Sequence, residues 1–272
     1  MTSARRPHSP VLAGTQGETG ERGTGAAVCV VVGATGAIGS AVTHRLVRQG
    51  RAVLAVGRDC RALDELAAHH SLVQPCVADI ADNSSIDVIS TALDGRVDMA
   101  LFAAGLPVRG SVDSIDPDDL TRAANIKVAG VARLLHAVRD QLDDGSRFVA
   151  IAGSLGIEPG PLDAGPGTAN AALLNLMRQI SVLYGARGVT VHTVAPGPLD
   201  TPRLHRFVET EAAETGADPE TIWQRYRDRT SLGRLPTLGE VSWLITRLLD
   251  PEGAALHGAV LAVDGGVRRG IL

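Results

Sequence analysis

The stretch Val31-Val32-Gly33-Ala34-Thr35-Gly36-Ala37-Ile38-Gly39 (31–39) decides the fold class. A β-branched run, Ala27–Val32, leads into it and a helical pattern near 37–49 leads out. Gly33, Gly36 and Gly39 permit a tight turn and a close approach of backbone to a ligand. A helix opening directly afterwards offers unpaired N–H groups and the positive end of its dipole. A lone glycine triplet is a weak signal, but between a strand and a helix at the front of an alternating chain it reads as a phosphate cradle.

The pattern continues outward. Short apolar runs at 52–56, 72–78, 97–103, 146–152, 190–194 and 259–263 read as strands. Helical stretches lie near 59–69, 83–93, 116–141, 168–184 and 238–249. Strands apolar on both faces and separated by helices imply a seven-stranded parallel sheet covered on both sides, a Rossmann-type doubly wound α/β fold. Residues 201–235 break the rhythm with charge, Trp223 and Tyr226, and read as a helical lid insertion or a solvated helix pair. Residues 1–25, rich in Gly, Pro, Ser and Thr, read as a disordered tail before one domain spanning 26–272.

Composition narrows the function. A net charge of −4 argues against a nucleic-acid partner bound through a basic face. No apolar run reaches the roughly 18 residues of a membrane span. Cys29, Cys60 and Cys76 are odd in number and lack CxxC spacing, so they read as buried thiols of a cytoplasmic protein. The histidines show no metal-ligand spacing, so no metal site is expected. Lys127 is the single lysine among the 26 basic residues.

About twenty residues past the glycines, a carboxylate on the ribose would select NAD. The second strand instead ends Val56-Gly57-Arg58. Arg58 can pair with a 2′-phosphate, which favours NADPH/NADP+. A solvated Arg58, with Asp59 recruited to the ribose, is the alternative.

These residues together resemble the short-chain dehydrogenase/reductase family, over about 26–270. The likeness rests on Gly33–Gly39 (with Ala37 at a usual glycine), Asp79, the strand end Asp98–Gly105, Asn125, Ser154, Pro196-Gly197 followed by Thr201, and Val263-Asp264-Gly265-Gly266. It implies that Gly33, Thr35, Gly36, Ala37, Ile38 and Gly39 bind pyrophosphate and Asp79 holds adenine. Ala103, Ala104 and Gly105 would line the cofactor, Asn170 would touch ribose, and Pro196, Gly197 and Thr201 would meet the carboxamide. Ser154 and Asn125 would be the catalytic residues, with Ser154 orienting a substrate carbonyl.

One departure is decisive. Family members carry Tyr-x-x-x-Lys about a dozen residues past the serine. Counting back from Arg187-Gly188 places Pro166 and Asn170 there; counting forward from Ser154 places Gly167 and Ala171. Neither pair can donate a proton or supply a positive charge. Tyr184 reads as core, Tyr226 as a lid residue able to swing in, and His192 as a satisfied core histidine. Lys127, two residues after Asn125, falls on another helix face and reads as solvated.

The resemblance therefore points to atypical ketoreductases, including those of antibiotic biosynthesis, that act on aromatic polyketides. There a substrate hydroxyl beside the ketone would pass the proton. A non-catalytic NADP-binding sensor or scaffold, and a cofactor-neutral dehydratase or cyclase, are the alternatives. The apolar stripe Leu173, Leu174, Leu176, Met177 and Ile180 reads either as core or as the interface of a homo-oligomer, a dimer or tetramer.

Overall fold

The computed structural model describes residues 27–105, 108 and 110–270. The expected tail, 1–25, and positions 26, 271 and 272 of the expected domain lie outside them.

The apolar runs form Val28–Val32 (β1), Ala52–Gly57 (β2), Val73–Val77 (β3), Val97–Phe102 (β4), Arg147–Ile151 (β5), Thr190–Pro196 (β6) and Val260–Val263 (β7). All pair in parallel, in the order β3-β2-β1-β4-β5-β6-β7. This is the expected doubly wound sheet, and the order reverses between β1 and β4, where such folds open a ligand crevice.

The strands alternate toward two apolar layers. Val30 and Val32 of β1 join Phe102 and Phe148 beneath Ser84–Thr91 (α3), Gly130–Val138 (α5) and Ala164–Tyr184 (α6). Cys29 and Val31 face the opposite layer, with Ala37–Arg48 (α1), Cys60–Ala68 (α2) and Leu238–Arg247 (α9). Phe102 and Phe148 are fully buried, each contributing about 2–3 kcal/mol of hydrophobic stabilisation. Residues 201–235 form Pro202–Thr215 (α7) and Pro219–Asp228 (α8). Leu204, Val208 and Ile222 give this pair its own small core.

Several expectations are corrected. The helix expected over 116–141 is Pro117–Ala124 (α4), a π-helical turn at Asn125–Ala129, and then α5. The helix expected from 168 begins at Ala164, because proline is tolerated in a first turn, where its missing N–H is not needed. Cys29 and Cys76 are buried but Cys60 is exposed. The stripe on α6 is core: Leu173, Met177 and Ile180 are buried, and Leu174 and Leu176 pack against them.

Candidate active site

The residues singled out in the sequence gather along one edge of the sheet, at the carboxyl ends of the strands. The turn after β1 begins at Gly33, whose φ of 81° is left-handed and favours glycine. A side chain at Gly33 would strike the Ala104 amide at 2.9 Å, and one at Gly39 would strike the Gly33 carbonyl oxygen at 2.1 Å. The turn is thus closed against the 103–105 loop after β4 and against its own helix. Gly36 caps α1 without a side-chain hydrogen bond, and no acid stands in the first turn. The amides of Ala37, Ile38 and Gly39 therefore open α1 uncapped, beside the exposed Thr35. That donor set fits a pyrophosphate.

Arg58 follows β2 and Asp79 follows β3. Their side chains stand 4.0 Å apart, mostly open to solvent. Asp59, the alternative ribose partner, caps α2: its Oδ1 accepts from the Ala62 amide at 3.1 Å. The cationic side chain at this rim is Arg58.

Ser154 opens a 3₁₀ turn directly after β5, and its hydroxyl takes no hydrogen bond among the described residues. Asn170 on α6 packs against this turn, its Nδ2 lying 3.0 Å from where a Gly153 side chain would begin. Asn170 is buried, whereas Ala171 is exposed. This geometry selects the Pro166/Asn170 register. The Asn170 Oδ1 is buried without a partner. An orphaned acceptor costs about 1–3 kcal/mol, and a hydroxyl donor from a bound ribose would satisfy it.

Asn125 points elsewhere. Its Nδ2 donates to the Ala81 carbonyl at 3.0 Å, and its Oδ1 accepts from Arg133 at 2.9 Å. Both ends of the amide are committed to fastening the π-turn to the segment after β3. Thr201 caps α7 through its Oγ1, which accepts from the Leu204 amide at 3.4 Å. Pro196 ends β6, and Gly197 after it packs so closely on Asp264 that a side chain would come within 2.9 Å of its Cα.

Of the other candidates, Tyr184 is core, and Tyr226 packs beside Trp223 with ring centroids 6.4 Å apart. His192 is fully buried. It meets the Leu256 carbonyl at 3.1 Å and Thr190 Oγ1 at 3.0 Å, and burial pushes its pKa down to about 4.

Lys127 is the residue that sequence reasoning missed. It does point away from Asn125, but toward the sheet rather than toward water. Its Nζ donates to the Ile151 carbonyl, the last of β5, at 2.7 Å. The face opposite Asn125 is covered by the ends of β4 and β5, which no helical periodicity could reveal. The one available signal was that this is the chain's single lysine.

Comparison with known proteins fits this geometry. The family model described as "Enoyl-(Acyl carrier protein) reductase" matches residues 33–268. A cis-4-hydroxycyclohexanecarboxylate dehydrogenase from Sinomonas cyclohexanicum is 31% identical over 251 residues, covering 88% of this chain and 95% of that protein. The short-chain reductase protein NovJ from Streptomyces niveus is 25% identical over 247 residues, covering 88% and 93%. The NADPH-bound structure of a Pseudomonas aeruginosa PAO1 short-chain oxidoreductase "containing an atypical catalytic center" superposes with a TM-score of 0.79. It is 23% identical, with 90% of this chain and 97% of that one covered.

Proposed function

The chain belongs to the short-chain dehydrogenase/reductase family, and from that premise we propose that it is an NADPH-dependent ketoreductase acting on a carbonyl of an aromatic polyketide. The carrying observation is the crevice itself. Gly33–Gly39 lead into an uncapped α1, Arg58 follows β2 and Ser154 follows β5, whereas α6 offers Pro166 and Asn170, and this combination supports the reading. The sequence resembles the angucyclinone ketoreductase of simocyclinone antibiotic biosynthesis, and the short-chain oxidoreductase from P. aeruginosa is a fold precedent for an atypical centre with NADPH.

When bound, NADPH supplies a hydride to the substrate carbonyl carbon. Gly33, Thr35, Gly36, Ala37, Ile38 and Gly39 hold the pyrophosphate through backbone amides and the end of α1. Arg58 clamps the 2′-phosphate, and Asp79 holds adenine. Ala103, Ala104 and Gly105 form the wall beneath the riboses. Asn170 accepts a ribose hydroxyl, while Pro196, Gly197 and Thr201 border the carboxamide. Ser154 donates its free hydroxyl to the carbonyl oxygen as charge develops there. Asn125 is a positioning residue for the π-turn. The helices α7 and α8 cover the crevice as a lid. Among the described residues no tyrosine stands on α6 where the family carries its proton donor, and the proton in this reading comes from a substrate hydroxyl beside the ketone, such as the peri-hydroxyl of a quinone or aryl ketone. Exposed Val182 and Leu183 on α6 give a homo-oligomer an apolar contact.

The test uses 8-hydroxy-1-tetralone and 1-tetralone, which differ in that hydroxyl alone. We expect tight NADPH binding by nicotinamide fluorescence and NADPH oxidation with the hydroxylated ketone at least about tenfold faster. Equal rates would remove the substrate-assisted step. NADPH binding without turnover of any aromatic ketone would favour a sensor or scaffold. Product formed without NADPH consumption would mark a dehydratase or cyclase.

A further inference from the structure

Resting on that reading, we infer that Lys127 is the catalytic cation of this enzyme, delivered from the π-turn between α4 and α5 rather than from α6. It takes the charge left on the substrate when the neighbouring hydroxyl gives up its proton.

Four observations carry this. Lys127 Nζ donates to the Ile151 carbonyl at 2.7 Å, which places the ammonium at the end of β5, three residues before Ser154. A side chain on Gly105, in the loop after β4, would begin 3.4 Å from Lys127 Cε and 3.8 Å from its Nζ. The ammonium therefore lies between the end of β5 and the loop that follows β4. The π-helical turn that presents it is fastened by Asn125, Arg133 and the Ala81 carbonyl. Such turns are rare and concentrate at functional sites. Finally, Lys127 is half-buried, and neither it nor its charged neighbour Arg203 takes a salt bridge among the described residues. A packed ammonium with no counterion is costly. Negative charge developing on the substrate hydroxyl oxygen offsets that cost.

The chemistry balances. The carbonyl carbon gains a hydride, the C=O π pair moves to oxygen, and that oxygen takes the proton of the adjacent hydroxyl. The hydroxyl oxygen is left as a phenolate or enolate, and the Lys127 ammonium faces it. One ammonium proton is held by Ile151, which leaves two free for the oxyanion. Solvent then restores the hydroxyl proton. The facing groups are few. Arg203 of α7 is the charged one, reaching within 3.7 Å of the same Gly105 position. Packing around the ammonium, with the Arg203 charge second, pushes the Lys127 pKa down to about 8. The active form is the protonated one, so rate should fall as pH rises through that value.

The single lysine makes the test direct. Protein labelled with ¹⁵N/¹³C-lysine reports Lys127 alone. We expect its resonance to titrate near 8 in the free protein, and to shift with a raised pKa when NADP+ and 8-hydroxy-1-tetralone bind together. A titration near the ordinary 10.5, unmoved by the ketone, overturns the inference without relying on turnover or on any variant folding. In kinetics, Lys127→Met should lower kcat about 100-fold or more, with the NADPH dissociation constant changed less than about threefold. Lys127→Arg should recover most of the rate and abolish the high-pH limb. If Lys127→Met binds NADPH and turns over like the parent, Lys127 is structural. If the parent binds NADPH and the lysine responds to the ketone but no reduction occurs, the ketoreductase reading fails while the anion-accepting role of Lys127 stands.

Discussion

The two halves of the crevice are built from different materials. On the β1–β3 side, the cradle is mostly backbone, glycines and uncapped amides, with one rim side chain, Arg58; a side chain at Gly33 would strike the Ala104 amide at 2.9 Å. On the β4–β6 side, the groups available are side chains: Ser154, Asn170 and Lys127, with Glu158 fastening the backbone at 269–270. A backbone device tolerates almost no substitution, because an added Cβ has nowhere to go. A side-chain device can be emptied and refilled from another element, provided the new group reaches the same point. The first half therefore keeps the pattern of its family, while the second departs from it.

Substitutions can break or sharpen this contrast. Gly39→Ala carries the largest expected effect. Its Cβ would lie 2.1 Å from the Gly33 oxygen, so NADPH affinity should fall at least about 100-fold. Fluorescence titration checks it, and near-normal binding would mean that the cradle is not rigid. Ser154→Ala should reduce kcat about 100-fold at unchanged NADPH affinity, the size of one lost donor to a developing oxyanion. A parallel loss of cofactor binding would merge the two halves into one unit. Arg58→Ala should weaken NADPH about tenfold or more and leave NADH within about twofold, because a single charge-assisted contact is removed. Equal losses for both cofactors would end the 2′-phosphate assignment.

Glu158→Gln should have the smallest effect, and one that depends on pH. The Glu158 carboxylate accepts from the amides of Arg269 and Gly270 at 2.7–3.1 Å, and those bonds hold its pKa below the ordinary 4.5. A carboxyl with a lowered folded pKa contributes order above about 4.5. It loses that contribution as pH falls through the folded value. Hydrogen exchange at 269–270 should therefore accelerate in acid in the parent and show no such acid step in the variant. The nucleotide half carries its own tie of this kind, the Asp82 carboxylate accepting from the Ser84 amide at 2.8 Å with its pKa held below the ordinary 3.8, so an acid step at Ser84 should persist in the Glu158→Gln variant.

How much was legible follows the same division. The glycine spacing, the apolar alternation and the acid-free end of β2 exposed the sheet and the cradle, because each depends on neighbouring residues. The absence of tyrosine and lysine after Ser154 was also plain. The choice between Pro166/Asn170 and Gly167/Ala171 needed the packing of Asn170 on Gly153. Asn125 read in the sequence as either bridging a water or fixing backbone geometry, and only the packing shows its amide committed to Ala81 and Arg133. That Asp59 also caps α2 became visible only in the fold. Lys127 was read as solvated because helical periodicity says which residues share a face, not what covers that face.

The sequence by itself determined the doubly wound sheet, the phosphate turn and the loss of the usual proton donor, since those reside in local pattern and residue identity. Only the tertiary structure decided where the surviving charge sits. A residue on the turn between α4 and α5 meets the end of β5 because the parallel sheet brings β4 and β5 side by side across a long crossover. No local pattern records that contact.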